Sequence, residues 1–121
     1  MVMIKVVGTD EERVVGNAEM LEPMDEYNDK LTKAGILLDA AGLRPSAEAK
    51  QVVFEGGTTS VVDGPFTEAK EIVAGYWIWE VGTVEEALEW ARQCPVDPTV
   101  GRGRLEIRPY FDEADVQALR D

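Results

Sequence analysis

Gly75-Tyr76-Trp77-Ile78-Trp79-Glu80-Val81 decides how the rest of the chain must be arranged. A β-strand sends successive side chains to opposite faces, so Tyr76 and Ile78 point one way and Trp77, Trp79 and Val81 the other. The strand is apolar on both faces and needs a cover on both. Each buried tryptophan removes ~150–250 Å² from water, on the order of 4–6 kcal/mol as an upper bound. Immediately downstream, Thr83 and Glu86 have the T-x-x-E spacing of a capping box, followed by Val84, Ala87, Leu88 and Ala91 on one helical face. Pro95 stops that helix. Residues 104–109 then alternate Leu105 and Ile107 against Arg104, Glu106 and Arg108, a closing strand.

A similar unit stands upstream. Residues 1–7 (MVMIKVV) read as a strand, with Val2, Ile4 and Val6 on one face and Met3, Lys5 and Val7 on the other. Residues 8–16 read as a polar loop. Pro23 suits the first turn of a helix. Leu21, Met24, Tyr27, Leu31 and Ala34 then recur at helical steps until Gly35 ends the stripe. Residues 36–43 read as a second strand. Between the two units, 51–55 and 58–62 flank Gly56-Gly57, a two-residue hairpin signal. Asp63-Gly64-Pro65-Phe66 breaks that pattern, and 67–73 reads as a helical turn or an irregular excursion. Residues 112–119 form a short terminal helix.

The order strand, helix, strand, hairpin, strand, helix, strand predicts an α+β fold of ferredoxin-like type, a mainly antiparallel sheet with two main helices on one face. Two helices cover only one face, so a second copy of the chain is the expected cover for the other.

The 121 residues are read as one domain spanning 1–121. The formal net charge of −12, from 24 acidic and 12 basic residues, argues against binding nucleic acid or an anionic membrane surface. No apolar run reaches the ~20 residues of a membrane span. The amino terminus lacks the pattern of a signal peptide. A lone cysteine, Cys94, forms no internal disulfide. Together these place the protein in the cytoplasm. With no histidine in the chain, neither a Ser-His-Asp arrangement nor a His-ligated zinc is available. No carboxylate spacing suggests a metal site, so neither metal nor cofactor is expected. Acid–base work would fall to Asp, Glu, Lys, Tyr or water.

Several residues have both a structural and a functional reading. Asp63 is a turn former that accepts backbone N–H bonds, or a carboxylate at a pocket mouth beside Pro65 and Phe66. Lys5, an ammonium inside an apolar strand, snorkels to solvent or points into a pocket and pairs with Asp63, at least half buried. Arg44 is solvated, or binds a ligand carboxylate with its planar fork. Tyr27 is a core residue with a satisfied hydroxyl, or a pocket wall. Trp77 and Trp79 are core or interface before they are a stacking platform. Cys94, at a helix C-terminus, is structural. Glu68, Lys70 and Glu71 form a solvated face with a local ion pair.

The segment Val62-Asp63-Gly64-Pro65-Phe66-Thr67-Glu68-Ala69-Lys70-Glu71 resembles the signature of the DGPF branch of the YCII-related family. Tyr27-Asn28, Ala34-Gly35-Ile36-Leu37-Leu38, Gly42-Leu43-Arg44-Pro45-Ser46, Ala74-Gly75-Tyr76-Trp77-Ile78-Trp79, Glu86-Ala87, Cys94-Pro95 and Glu106-Ile107-Arg108-Pro109 fit in the same order. The resemblance implies a ferredoxin-like fold paired as a dimeric α/β barrel, with no single settled activity. It also marks two departures. Tyr27 and Arg44 stand where members of the family tend to carry histidine, so of a His–Asp acid–base pair only Asp63 is present. The combined expectation is a homodimer that binds a small organic molecule near Asp63, Lys5 and Arg44, with Tyr27, Pro65 and Phe66 around it. Any chemistry would be cofactor-free proton transfer at Asp63 and Lys5. The alternative is a non-catalytic regulatory or protein-interaction module in which Asp63-Gly64-Pro65-Phe66 is only a turn.

Overall fold

The computed structural model describes residues 1–66, 70–95 and 103–121. In chain order the elements are β1 (Val2–Val7), α1 (Glu11–Val14), α2 (Leu21–Lys33), β2 (Leu37–Gly42), β3 (Lys50–Glu55), β4 (Thr58–Asp63), β5 (Glu71–Trp79), α3 (Val84–Arg92), β6 (Gly103–Ile107) and α4 (Glu113–Arg120). Strands β2-β5-β1-β6, in that order, form a four-stranded sheet with every neighbour antiparallel, while β3 and β4 form a separate two-stranded ribbon. Two strand–helix–strand units interleave around the central β1 and β5, which is the ferredoxin-like α+β arrangement.

Register decides which side chains share a face. Val2 pairs with Trp77 and Ile107, and Ile4 with Gly75 and Leu105, so the apolar series of three strands falls on one side. Helices α2 and α3 cover that side. Val2, Tyr27, Leu31, Ile36, Trp77, Trp79 and Ala87 are all buried together there. The Tyr27 and Trp77 rings meet edge to face, centroids 5.8 Å apart at 77°. Trp77 Nε1 donates to Asn28 Oδ1 at 2.7 Å, and the Tyr27 hydroxyl donates to the Trp90 carbonyl at 2.6 Å. Tyr27 and Trp77 therefore bury their apolar bodies with their polar tips paired, whereas Trp79 Nε1 is buried without a hydrogen-bond partner among the described residues.

Local signals are realised in detail. α2 ends in a Schellman motif: Gly35, at φ 74°, donates to the Thr32 carbonyl, and Ile36 donates to that of Leu31. Ile36 then packs into the core at 4% exposure. Gly56 and Gly57 both have positive φ, as a type I′ hairpin turn requires. At the start of α3, Thr83 Oγ accepts from the Glu86 N–H at 3.2 Å. The Glu86 carboxylate, however, accepts from Gly82 N–H, one residue further back than a capping box would place it.

Three readings are corrected. The 8–16 segment is not simply a loop, because α1 forms one turn within it. A single turn is too short to register as periodicity, and it is held by a tertiary bond from Glu11 described below. β5 starts at Glu71 rather than 75. Ala74 is the extra residue of a bulge, since Ile4 faces Gly75 while Lys5 faces Val73, and pairing with β1 continues through Ile72 and Glu71. The irregular excursion expected over 67–73 is thus strand from 71, while Thr67, Glu68 and Ala69 lie outside the described residues. Finally, Glu71 does not belong to a local ion pair, as its carboxylate lies 3.4 Å from Arg104 on β6.

Candidate functional site

Small residues at several strand and turn positions leave space on the helix side of the sheet. Gly42 at the end of β2, Ala74 in the β5 bulge, Gly103 at the start of β6, and Gly16 and Ala18 before α2 all border it. The result is a half-enclosed cavity of about 440 Å³. Ile4 and Val6 of β1 and Leu105 of β6 form its floor; Val14, Val15, Met20, Leu21 and Met24 wall it from α1 and α2; Leu43, Cys94 and Pro95 complete it. A β-carbon built on Gly42 would meet nothing within 4 Å, so that glycine is not required by any close backbone approach. The volume lies within the ~300–1,000 Å³ of small-molecule sites.

The polar groups at this wall are spent or neutral. Asn17 caps the turn before α2: its Oδ1 accepts from Glu19 N–H and its Nδ2 donates to the Arg13 carbonyl. Burial pushes the Cys94 thiol up to about 11, so it is uncharged at neutral pH. Burial, and secondarily the nearby Cys94, raises the Tyr27 hydroxyl well above its ordinary range. Arg104 also borders the cavity, and its guanidinium reaches Glu71.

The residues singled out in the sequence fall in three separate places. Lys5 stands on the sheet face away from the helices, its side chain 28% exposed and its Nζ 3.5 Å from Glu106 Oε1. It is more than half buried and paired with a carboxylate, as expected, but that partner is Glu106 and not Asp63. Asp63, at the end of β4, has a side chain 72% exposed and accepts from Lys50 Nζ at 2.6 Å. Arg44 is also exposed and pairs with Glu48; that contact raises its pKa. Tyr27 lies in the core with its hydroxyl donated to Trp90. Pro65 is exposed and Phe66 half-buried. Of these six, none lines the cavity. The expected Asp63–Lys5–Arg44 pocket is not assembled, because Asp63 and Arg44 sit with the β3–β4 ribbon while Lys5 sits within the four-stranded sheet.

What seats this segment is Gly64 rather than the Asp63 side chain. Gly64 N–H donates to the Ala49 carbonyl at 2.8 Å. A β-carbon at Gly64 would lie 2.0 Å from the Ser46 carbonyl oxygen. Ser46 is itself anchored by α1: its hydroxyl donates to Glu11 Oε1 at 2.6 Å, and its N–H to the same carboxylate at 3.2–3.3 Å. Glu11 therefore ties α1 to the Arg44-Pro45-Ser46 loop, which in turn seats Gly64. No local pattern marks Glu11, whose partner is 35 residues away.

Among the described residues, no helix is long and apolar enough to cross a membrane. None of their His, Cys, Asp or Glu side chains gather in groups of three that could hold a metal.

Comparison with known proteins agrees with the fold. An uncharacterised protein of Rhizobium meliloti (strain 1021) is 35% identical over 80 residues, which cover 66% of this chain and 64% of that protein. The model of the YCII-related domain matches residues 1–114. The chain belongs to the YCII-related family.

Proposed function

We propose that this protein is a homodimer of the DGPF branch that binds an uncharged, largely apolar organic molecule in the cavity between β1, β6, α1 and α2. The cavity carries the reading: its size suits a small molecule, its wall is built from aliphatic and thioether side chains, and its own polar groups are neutral or already bonded. A charged ligand would lose its hydration there, and Arg104, the charged side chain of the lining, is already paired with Glu71 at 3.4 Å. Branch membership is supported by the segment Asp63-Gly64-Pro65-Phe66 in the turn it builds.

Dimerisation is supported by the second sheet face. Met3, Val7, Tyr76 and Ile78 alternate with the helix-covered residues and lie opposite α2 and α3. These apolar side chains share the face with Lys5 and Glu106, which pair with each other, and are stabilised when a second layer covers them.

The test of binding is a fluorescence titration with the neutral apolar probe N-phenyl-1-naphthylamine. Saturable binding of one probe per chain, abolished by Val15→Trp, which fills the cavity, supports the site. Unsaturable binding, or binding unchanged in Val15→Trp, overturns it. Sedimentation equilibrium should give twice the chain mass, and a monomer at all concentrations overturns the dimer.

A further inference from the structure

Two stretches of the cavity lining come from distant parts of the chain: Val14-Val15 at the end of α1, and Gly42-Leu43 at the end of β2. The second stretch is held firmly. Leu43 N–H donates to the Ala74 carbonyl in the β5 bulge at 2.9 Å. Three residues on, Ser46 opens a short turn that is seated on Gly64. Gly64 N–H donates to the Ala49 carbonyl at 2.8 Å, and its backbone comes so near the Ser46 carbonyl oxygen that a β-carbon would lie 2.0 Å from it. The first stretch is held by much less. Asp10, just ahead of it, is buried, but α1 itself is a single turn with no buried residue, too short to be stable alone. Gly16 follows at φ 75°, with open space where a side chain would stand. Among the described residues, the side-chain hydrogen bonds that α1 makes are those of Glu11, which accepts from the Ser46 hydroxyl at 2.6 Å and from Ser46 N–H at 3.2–3.3 Å.

We infer that Glu11 is a positioning residue for the cavity: its carboxylate fastens α1 to Ser46 and so keeps Val14 and Val15 in the lining, while Gly64 sets where Ser46 stands. This rests on the ligand reading proposed above and adds how that site keeps its shape. Glu11, Ser46 and Gly64 do not themselves line the cavity. Glu11 precedes Val14 and Val15 by three and four residues, one helical turn, so a displacement of its carboxylate carries them with it. An element with few buried contacts opens locally at low cost. Ligand affinity then falls by the fraction of chains whose wall is in place. The Asp63-Gly64-Pro65-Phe66 turn thereby acts on the site through Ser46 and Glu11 without touching a ligand.

The test is the N-phenyl-1-naphthylamine titration on the full chain. Glu11→Ala and Ser46→Ala should each raise the probe Kd about threefold to tenfold, as expected if the wall is in place a third to a tenth of the time. Glu11→Gln keeps an oxygen that accepts from Ser46 and should stay within about twofold of wild type. Asp112→Ala removes the capping box of α4, which lies outside the cavity lining, and so lowers stability without touching this contact. Its Kd should equal that of wild type. If Glu11→Ala does not fold, Ser46→Ala, which keeps the N–H bond, decides the matter. Wild-type affinity in the alanine variants, or an equal loss in Asp112→Ala, overturns the positioning role and leaves the site standing. A wild type with no saturable binding overturns both.

Discussion

Replacing Gly64 by alanine isolates the geometry of the Asp63-Gly64-Pro65-Phe66 turn. The added methyl would start 2.0 Å from the Ser46 carbonyl oxygen and 3.1 Å from that of Ala49, where ordinary contact begins at 3.4 Å. Both obstacles are backbone atoms, so no rotamer change relieves them. Either Gly64 withdraws, losing its N–H bond to Ala49, or the Ser46 turn withdraws, straining its bonds to Glu11. The first costs about 1 kcal/mol and the second, to a charged acceptor, about 1.5–3 kcal/mol, with residual overpacking of similar size. We expect a loss of about 3 kcal/mol or more, a drop in Tm on the order of 10 °C. Gly42→Ala is the control, because its β-carbon would meet nothing within 4 Å. It should be neutral, or stabilising by up to about 1 kcal/mol through the unfolded chain. Urea unfolding followed by fluorescence of the buried Trp77 and Trp79 measures both. If Gly64→Ala falls within about 1 kcal/mol of Gly42→Ala, the close approach does not hold the turn and the reasoning fails.

Glu11→Ala should cost about 1–3 kcal/mol, and the double variant with Gly64→Ala should cost less than the two separately, since both act on Ser46; strict additivity in urea unfolding would show the two contacts to be independent. Asp63→Ala should cost under ~1 kcal/mol, because its partner Lys50 is exposed, and a loss well above that in the same assay would restore a structural role to its carboxylate. Lys5→Met should leave probe affinity unchanged and stability near wild type, as Lys5 faces away from the cavity and Glu106 keeps Arg108 at 3.3 Å; a lost fluorescence titration would place Lys5 at the site. The Cys94 thiol, pushed by burial from 9.0 to about 11, binds its proton more tightly folded than unfolded. Its contribution is therefore complete below pH 9 and lost as pH rises through about 11. Melting temperature should fall over that window, less steeply in Cys94→Ala, and equal slopes would contradict the assignment.

The sequence by itself determined the four sheet strands, the hairpin and the helices α2, α3 and α4, but neither α1 nor where β5 begins. Alternation in β1 and β5, the Gly35 helix stop, the Gly56-Gly57 turn and the two tryptophans on one strand face are all short-range patterns, set by residues within one helical turn or one strand of each other. The residues that resemble the YCII-related family spread along the chain in the same order, and the family match over residues 1–114 bears that out. Tertiary structure alone decided the site. The cavity is bounded by pieces of β1, β5, β6, α1, α2 and the ends of β2 and α3, and no segment announces that its neighbours will leave room. Lys5 pairs with Glu106 because antiparallel register brings β6 beside β1, while Asp63, on a separate ribbon, has Lys50 directly across from it. The bulge at Ala74 depends on how β5 aligns with β1, and the need for glycine at 64 depends on a carbonyl contributed by Ser46. Sequence periodicity reports which face a side chain takes; only the folded chain fixes what stands opposite it.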